Sequence, residues 1–307
     1  MKIVVTGGAG FIASQIVDAY LALGHEVVIV DNLSTGDRKN LNPKATFHEL
    51  DLRGEAAAKV VEAFQPEVLS LHGAQIDVRK SVTDVRFDAD TNIGGTLNMV
   101  EAGRRGGALK RVVYAASGGS MYGDSAVLPT PETEPPAGVS PYAVSKFSGE
   151  LYLSCFRAMY GLHYVALRYA NVYGPRQNLH GEAGVVAIFA ERLLRGEGCT
   201  IFGDGGQTRD FVYVGDVVAA NVKALTTEYC GGVNICTSTE TDVNQVYALL
   251  AKNLGIATPA KHAPERLGEQ RRSVLANGKA KQVLGWSPQF DVERGMAQTI
   301  AWYREHR

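Results

Sequence analysis

Apolar residues along this chain recur with two periods, and the two alternate. Lys2-Ile-Val-Val-Thr6 is a short β-branched run. After it Ile12, Ile16, Ala19, Tyr20 and Leu23 share one helical face, which Gly24 closes. Glu26-Val-Val-Ile-Val-Asp31 is apolar again and ends in a carboxylate. The alternation continues with strands expected at Ala45–Leu50, Val68–Leu71 and Lys110–Ala116, and helices over 54–64, 90–103, from Ser140 to Tyr160 and over 185–196. Runs that are apolar throughout suit strands covered on both faces. Strands alternating with helices predict an α/β protein on a doubly wound parallel sheet.

The turn between the first strand and the first helix reads Gly7-Gly8-Ala9-Gly10-Phe11-Ile12-Ala13. Glycines at 7 and 10 let backbone approach a pyrophosphate closely, and the helix that follows aims N–H groups and a partial positive charge at it. Asp31 stands where a carboxylate accepts hydrogen bonds from an adenosine ribose, which favours NAD over NADP. The plain alternative is an ordinary tight turn. Strand, glycines, helix and acid falling in order over residues 1–31 argue for a dinucleotide-binding unit instead. The third small position is Ala13 rather than Gly, which should set the helix slightly further from the strand.

Beyond Asp31, Asn32-Leu-Ser-Thr-Gly36 has loop chemistry. Asp51 either faces the adenine or caps the helix over 54–64. Gly73 and Ala74, within His72-Gly-Ala-Gln75, suit backbone pressed against a cofactor. His72 is read as a structural side chain, not as an acid–base group.

Composition narrows the partners. In 307 residues the formal net charge is −1, which argues against nucleic acid or an anionic membrane and leaves an anionic ligand to local arginines. The 4 cysteines show no metal-site spacing, so no metal is expected and a reducing, cytoplasmic setting is. No apolar run is long enough to span a bilayer, and no secretory signal is evident.

The fifth strand delivers Ser117-Gly-Gly-Ser-Met-Tyr-Gly123 at its C-terminal end, where open parallel sheets bind ligands. Downstream, Tyr142 and Lys146 are four residues apart on one helical face. A phenol is a poor base at neutral pH. A lysine ammonium one turn away, together with a positive nicotinamide ring, should pull its pKa down.

With these residues in place, the chain resembles the extended short-chain dehydrogenase/reductase family, in its UDP-glucose 4-epimerase branch. The matching motifs are Thr6-Gly-Gly-Ala-Gly-Phe-Ile12, Asp31-Asn-Leu-Ser-Thr-Gly36, Asp51-Leu52, Tyr142-Ala-Val-Ser-Lys146, Leu167–Pro175, Arg209–Asp216 and Arg266-Leu-Gly-Glu269. The resemblance implies a Rossmann domain over 1–169 plus 211–236 and a smaller α/β substrate-binding lobe over 170–210 plus 237–307. It implies NAD contacts from Gly7, Gly10, Phe11 and Ile12, from Asp31, Asn32, Ser34, Thr35 and Gly36, and from Asp51 and Leu52. Leu71, His72, Gly73, Ala74, Gln75, Asn92, Ala115 and Tyr169 complete that lining. Tyr142 is the proton-transferring phenol, and Lys146 tunes it and binds the nicotinamide ribose. For a UDP-sugar the resemblance implies Asn171 and Gln207, the helix start at Val185 and Val186, and Ile201 and Phe202 bracketing the uracil. Arg209, Arg266 and Glu269 hold phosphate and uridine ribose; for Arg209 a surface ion pair with Asp210 is the bland alternative.

One position departs from the family pattern. The Ser or Thr usually found four residues before the Tyr of the Tyr-Gly pair is here Gly118. Ser117 is the expected substitute, with Ser120 or a water as alternatives. The implied activity is NAD-dependent 4-epimerisation of a UDP-hexose, UDP-glucose and UDP-galactose by default, in a homodimer formed through helices near 93–104 and 142–160. UDP-N-acetylglucosamine or UDP-glucuronate could replace the hexose; Ser273 is small where a bulky residue would close the sugar pocket. A 4,6-dehydratase or decarboxylase would need acids where Gly119-Ser120-Met121 stand, and a non-catalytic NAD-binding regulator would not need Tyr142 and Lys146.

Overall fold

The computed structural model describes residues 1–178, 184–265 and 270–306. Its centre is a parallel sheet entered at β1 (Lys2–Thr6) and continued by β2 (Glu26–Asp31), β3 (Thr46–Glu49), β4 (Val68–Leu71), β5 (Arg111–Ser117) and β6 (His163–Tyr169). Beyond these lie β7 (Asn171–Tyr173), β8 (Thr200–Phe202), β9 (Thr208–Tyr213), β10 (Gly231–Ile235), β11 (Glu240–Asp242), β12 (Lys261–Ala263) and β13 (Arg272–Ser273). Among the described residues, seven strands form the main sheet in the order β10-β6-β5-β4-β1-β2-β3, every pair parallel. The order reverses between β1 and β4, which opens a crevice at the strands' C-terminal ends. The expected doubly wound sheet is therefore present. Its third strand is shorter than the apolar run implied, because Ala45 and Leu50 fall outside the ladder.

Helices α1 (Phe11–Ala22), α2 (Glu55–Phe64), α3 (Val78–Thr83), α4 (Val85–Ala89) and α5 (Gly95–Gly106) flank the first half of the sheet. The helix expected over 90–103 is interrupted: Asp90–Gly94 is a single π turn between α4 and α5. The one-turn α6 (Gly118–Met121) follows β5, and α7 (Pro141–Tyr160) follows the proline-rich loop. Ser140 caps α7 by accepting the Ala143 N–H at 3.2 Å, Pro141 occupies its first turn, and Gly161 ends it at φ +69. Helices α8 (Val185–Leu194), α9 (Val214–Ala224), α10 (Val243–Leu254), α11 (Gly278–Leu284) and α12 (Val292–Glu305) complete the chain.

Two apolar cores result. The larger fills both faces of the main sheet, and the smaller joins α8, α10 and α12 around Phe189, Ile201, Phe211 and Ile300. Leu275, Ala280, Leu284 and Trp286 pack in the larger core, although the expected division assigned them to the smaller lobe. No helix among the described residues is long and apolar enough to cross a membrane.

Candidate active site

The glycine turn is built for close approach. Gly7 sits at φ +70, and a Cβ there would lie 2.8 Å from the Gly73 backbone nitrogen, so the exits of β1 and β4 touch backbone to backbone. Gly10 stands at the N-cap of α1 with no side-chain cap, so the first-turn amides have no partner within the helix. Asp31 is fixed at the tip of β2: its Oδ2 accepts the Ala9 N–H at 2.9 Å and its Oδ1 the Leu33 N–H at 2.8 Å. Open amides for a pyrophosphate and a buried carboxylate at the end of the second strand fit NAD. Leu33, Thr35 and Gly36 line an open cavity of about 700 Å³ shared with Phe11 and Arg176.

Asp51 does not cap α2, whose N-cap is Gly54. Its carboxylate takes two bonds from the Arg53 guanidinium, at 2.9 and 2.7 Å, and one from Asn32 at 3.2 Å. Those bonds, led by Arg53, hold its pKa down at about 2. The ion pair and the Asn32 bond hold the ends of β2 and β3 together.

His72 is held by protein partners. Its Nε2 meets the Tyr169 hydroxyl at 3.1 Å, and that hydroxyl accepts from Asn221 at 2.8 Å. Burial, reinforced by the nearby Lys146 charge, lowers the imidazole to about 4. Asn92 is 1 % exposed, and its amide bonds Gln75 O, Asp88 Oδ1 and Ser145 Oγ at 3.0–3.1 Å while accepting the Gln75 N–H at 2.8 Å. It thus ties the exit of β4 to α7.

The reacting group lies where β5 meets α7. Tyr142 hydrogen-bonds Ser117, and Ser120 Oγ donates to Ser117 Oγ at 2.8 Å. Lys146 Nζ stands 4.7 Å from the Tyr114 ring centroid, in a space that exists because Gly149 has no Cβ to meet the Tyr114 hydroxyl. Burial raises the Tyr142 phenol, and the Ser117 hydrogen bond opposes it. Burial lowers Lys146 to about 8, opposed by Asp88. In the protein without its cofactor, desolvation is the largest influence on the phenol; the expected lowering needs the nicotinamide charge as well as Lys146.

Gly118 carries no reacting group. A Cβ there would stand 2.6 Å from Leu275 Cδ1 and 2.9 Å from the Arg168 carbonyl oxygen, and the backbone oxygen cannot step aside. Gly118→Ser, which would restore the usual hydroxyl, is expected to cost about 1–3 kcal/mol in urea unfolding through overpacking. It should not rescue Ser117→Ala in an activity assay.

On the substrate side, Asn171 is exposed and close to the turn of α6: a Cβ on Gly119 would be 3.4 Å from its Oδ1. Helix α8 opens at Gly184 without a side-chain cap, leaving the amides of Val185 and Val186 open to a diphosphate. Strand β8 alternates, so Phe202 is half-buried beside Gln207, whose Nε2 donates to Phe202 O at 3.1 Å. Ile201 instead is 1 % exposed inside the smaller core, which corrects its assignment as a bracket for uracil. Arg209 is anchored by bonds to Thr208 O and Gln270 O at 2.7 and 2.8 Å. Asp210 is not its surface partner, being buried and bound to the N–H groups of Thr237 and Ser238 at 2.8 and 2.9 Å. Arg266 and Glu269 lie outside the described residues.

Residues 3–236 match the model of the NAD dependent epimerase/dehydratase family. The chain belongs to that family. It is 44% identical over 310 residues to the UDP-glucose 4-epimerase of Mycolicibacterium smegmatis, covering 99% of each chain. The UDP-glucose 4-epimerase of Thermotoga maritima, solved with UDP-glucose, superposes with a TM-score of 0.97 at 45% identity, covering 100% of this chain and 99% of that one. The Thermus thermophilus UDP-glucose 4-epimerase, solved with NAD, gives 0.93 at 43% identity, covering 99% of each.

Motif reading overlooked a buried ion pair that supports this epimerase-type site. Glu150 grips Arg168 through two bonds of 2.7 and 3.1 Å, and Arg168 also donates to the Tyr122 hydroxyl at 2.7 Å. A signal was available, because Tyr142, Lys146 and Glu150 repeat at four-residue spacing along one face of α7.

Proposed function

We propose that the protein interconverts UDP-glucose and UDP-galactose by NAD-dependent oxidation and reduction at C4 of the hexose. The observation that carries this reading is the Ser117–Tyr142–Lys146 cluster where the C-terminal end of β5 meets the start of α7. NAD, when bound at the glycine turn and Asp31, would supply the hydride acceptor and donor for C4. Tyr142, as phenolate, takes the proton of the C4 hydroxyl as the C4–H bond breaks, leaving a 4-keto sugar, and gives the proton back once the sugar has presented its other face. Ser117 holds the phenolic oxygen and the sugar oxygen in line, and Lys146 supplies positive charge beneath them. Arg209, Phe202 and the first turn of α8 grip the nucleotide diphosphate, leaving the hexose free to turn.

The turn of α6 holds no carboxylate over residues 118–121, which disfavours the dehydratase and decarboxylase alternatives. The N-acetylated sugar is a second substrate to try, since Ser273 is small, buried and in register with Arg209. A homodimer is supported by the outer face of α7, where Val144, Leu151 and Met159 are 55%, 55% and 62% exposed. The free thiols of Cys155, Cys199, Cys230 and Cys236 suit the cytoplasm.

Proton NMR of UDP-galactose incubated with purified protein and no added NAD is expected to show conversion to UDP-glucose by resident cofactor. No conversion of that sugar, with none of the N-acetylated or glucuronate sugars either, would leave an NAD-binding protein without this chemistry.

A further inference from the structure

Asp88, at the end of α4, is a carboxylate with an unusual position. It is 1 % exposed. Its Oδ1 accepts from Gln75 Nε2 at 3.0 Å and from Asn92 Nδ2 at 3.1 Å, whereas its Oδ2 has no hydrogen-bond partner among the described residues. A buried carboxylate oxygen without a partner is costly. A role in a functional site is one of the reasons such an oxygen is retained.

The surrounding geometry shows which group. The π turn Asp90–Gly94 follows Asp88 directly and packs against α7 together with α4. π turns inserted into helices are frequent at functional sites because they re-aim side chains. Here the turn brings Asn92 between Asp88 and Ser145, with Asn92 Nδ2 3.0 Å from Ser145 Oγ. Ser145 Oγ in turn donates to the Tyr142 carbonyl at 3.0 Å. A continuous chain therefore runs from the Asp88 carboxylate through Asn92 and Ser145 to the backbone of the reacting tyrosine. Its charge also bears on both titrating groups of the site, favouring the protonated form of Lys146 and of Tyr142.

We propose that Asp88 is a positioning residue of the catalytic site, orienting the first turn of α7 through Asn92 and Ser145 and placing a buried negative charge beside the Tyr142/Lys146 pair. The proposal rests on the epimerase reading for its kinetic consequence, not for its electrostatics. Other groups around Lys146 do not substitute for Asp88. Tyr114 of β5 presents an uncharged ring, and His72 at the exit of β4 is neutral at physiological pH. Glu150, one turn further along α7, is engaged by Arg168. Arg79 and Lys80 of α3 and Asp90 of the π turn are exposed.

Removing a negative charge lowers every neighbouring pKa. In Asp88→Asn, Tyr142 therefore loses its proton at lower pH, which moves the acid limb of the kcat profile down. Lys146 loses its proton at lower pH as well, which moves the alkaline limb down. The expected result is a displacement of both limbs by about half to one pH unit, with Asp88→Glu returning them towards their original positions. Should Asp88→Asn not fold, the smaller neutral Asp88→Ser, which leaves room for a water, makes the same comparison. Limbs that stay in place while only the amplitude falls would show a purely structural side chain and overturn the proposal, as would a displacement to higher pH.

The electrostatic half is read without turnover by NMR titration of NAD-loaded protein carrying lysine isotopically labelled at Cε, with Lys146→Met assigning the resonance. A midpoint that falls in Asp88→Asn supports the proposal, and an unchanged midpoint overturns it. Because this titration uses no sugar, it decides on Asp88 even if the protein fails to epimerise UDP-galactose.

Discussion

Tyr142→Phe is expected to retain its fold and its NAD and to lose epimerisation by roughly 10²–10⁴-fold, the range that a positioned acid–base group contributes. The substitution removes one oxygen. Ser117, which loses the phenol as partner, keeps its bond from Ser120 at 2.8 Å, so no hydroxyl is stranded in the site. Binding groups for the nucleotide lie elsewhere, on β9 and at the start of α8, so KM should change far less than kcat. Burial holds the free phenol above its ordinary value, and the phenolate therefore forms in quantity only when positive charge gathers beside it. The rate in the unaltered protein should accordingly rise with pH up to the point at which Lys146, set near 8 by burial, gives up its ammonium proton. Proton NMR of UDP-galactose across a pH series measures both effects. A Tyr142→Phe protein that kept a tenth or more of the activity would remove the phenol from the proton path.

How much of this was legible in the sequence depends on the range of the interactions concerned. The succession of strands and helices, the glycine turn and the Tyr142/Lys146 pair follow from local spacing, because β and α periods and a four-residue offset are properties of neighbouring residues. Ile201 was misjudged because strand alternation decides which of two adjacent residues faces the core, and the smaller core that claims it is assembled from α8, α10 and α12, far apart in sequence. Gly118 was ambiguous for the same reason. Nothing near it in sequence announces that the carbonyl of Arg168, on the neighbouring strand β6, occupies the space a side chain would need. Asp88 carried no motif at all, since its significance arises only when the π turn folds it against α7. Arg53 drew Asp51 into an ion pair two residues away, a local event that helix-capping rules overlook.

Glu150→Ala should cost about 3–5 kcal/mol of stability, the usual penalty for stranding one member of a buried ion pair. Glu150 and Arg168 have side chains only 8% exposed, and the pair bridges α7 to β6 directly beneath the reacting loop. Gly232 of β10 makes the space: a Cβ there would fall 2.6 Å from Arg168 Nε and 2.8 Å from its Cζ. Among the described residues, the guanidinium left behind would keep only the Tyr122 hydroxyl, whose own proton goes to Asn234 Oδ1 at 3.0 Å. Removing both charges at once, as Glu150→Leu with Arg168→Met, leaves an apolar contact of similar volume and should cost much less than Glu150→Ala alone. Urea unfolding of Glu150→Leu, Arg168→Met and the double variant measures the coupling. Equal costs for Glu150→Ala and the double variant would mean that the loss comes from packing of the Glu150 stem, not from the unpaired guanidinium. With the pair intact, α7 is clamped at Glu150 two turns below Tyr142, and the phenol is held from the rigid end of its helix, not from the proline-rich loop that precedes it.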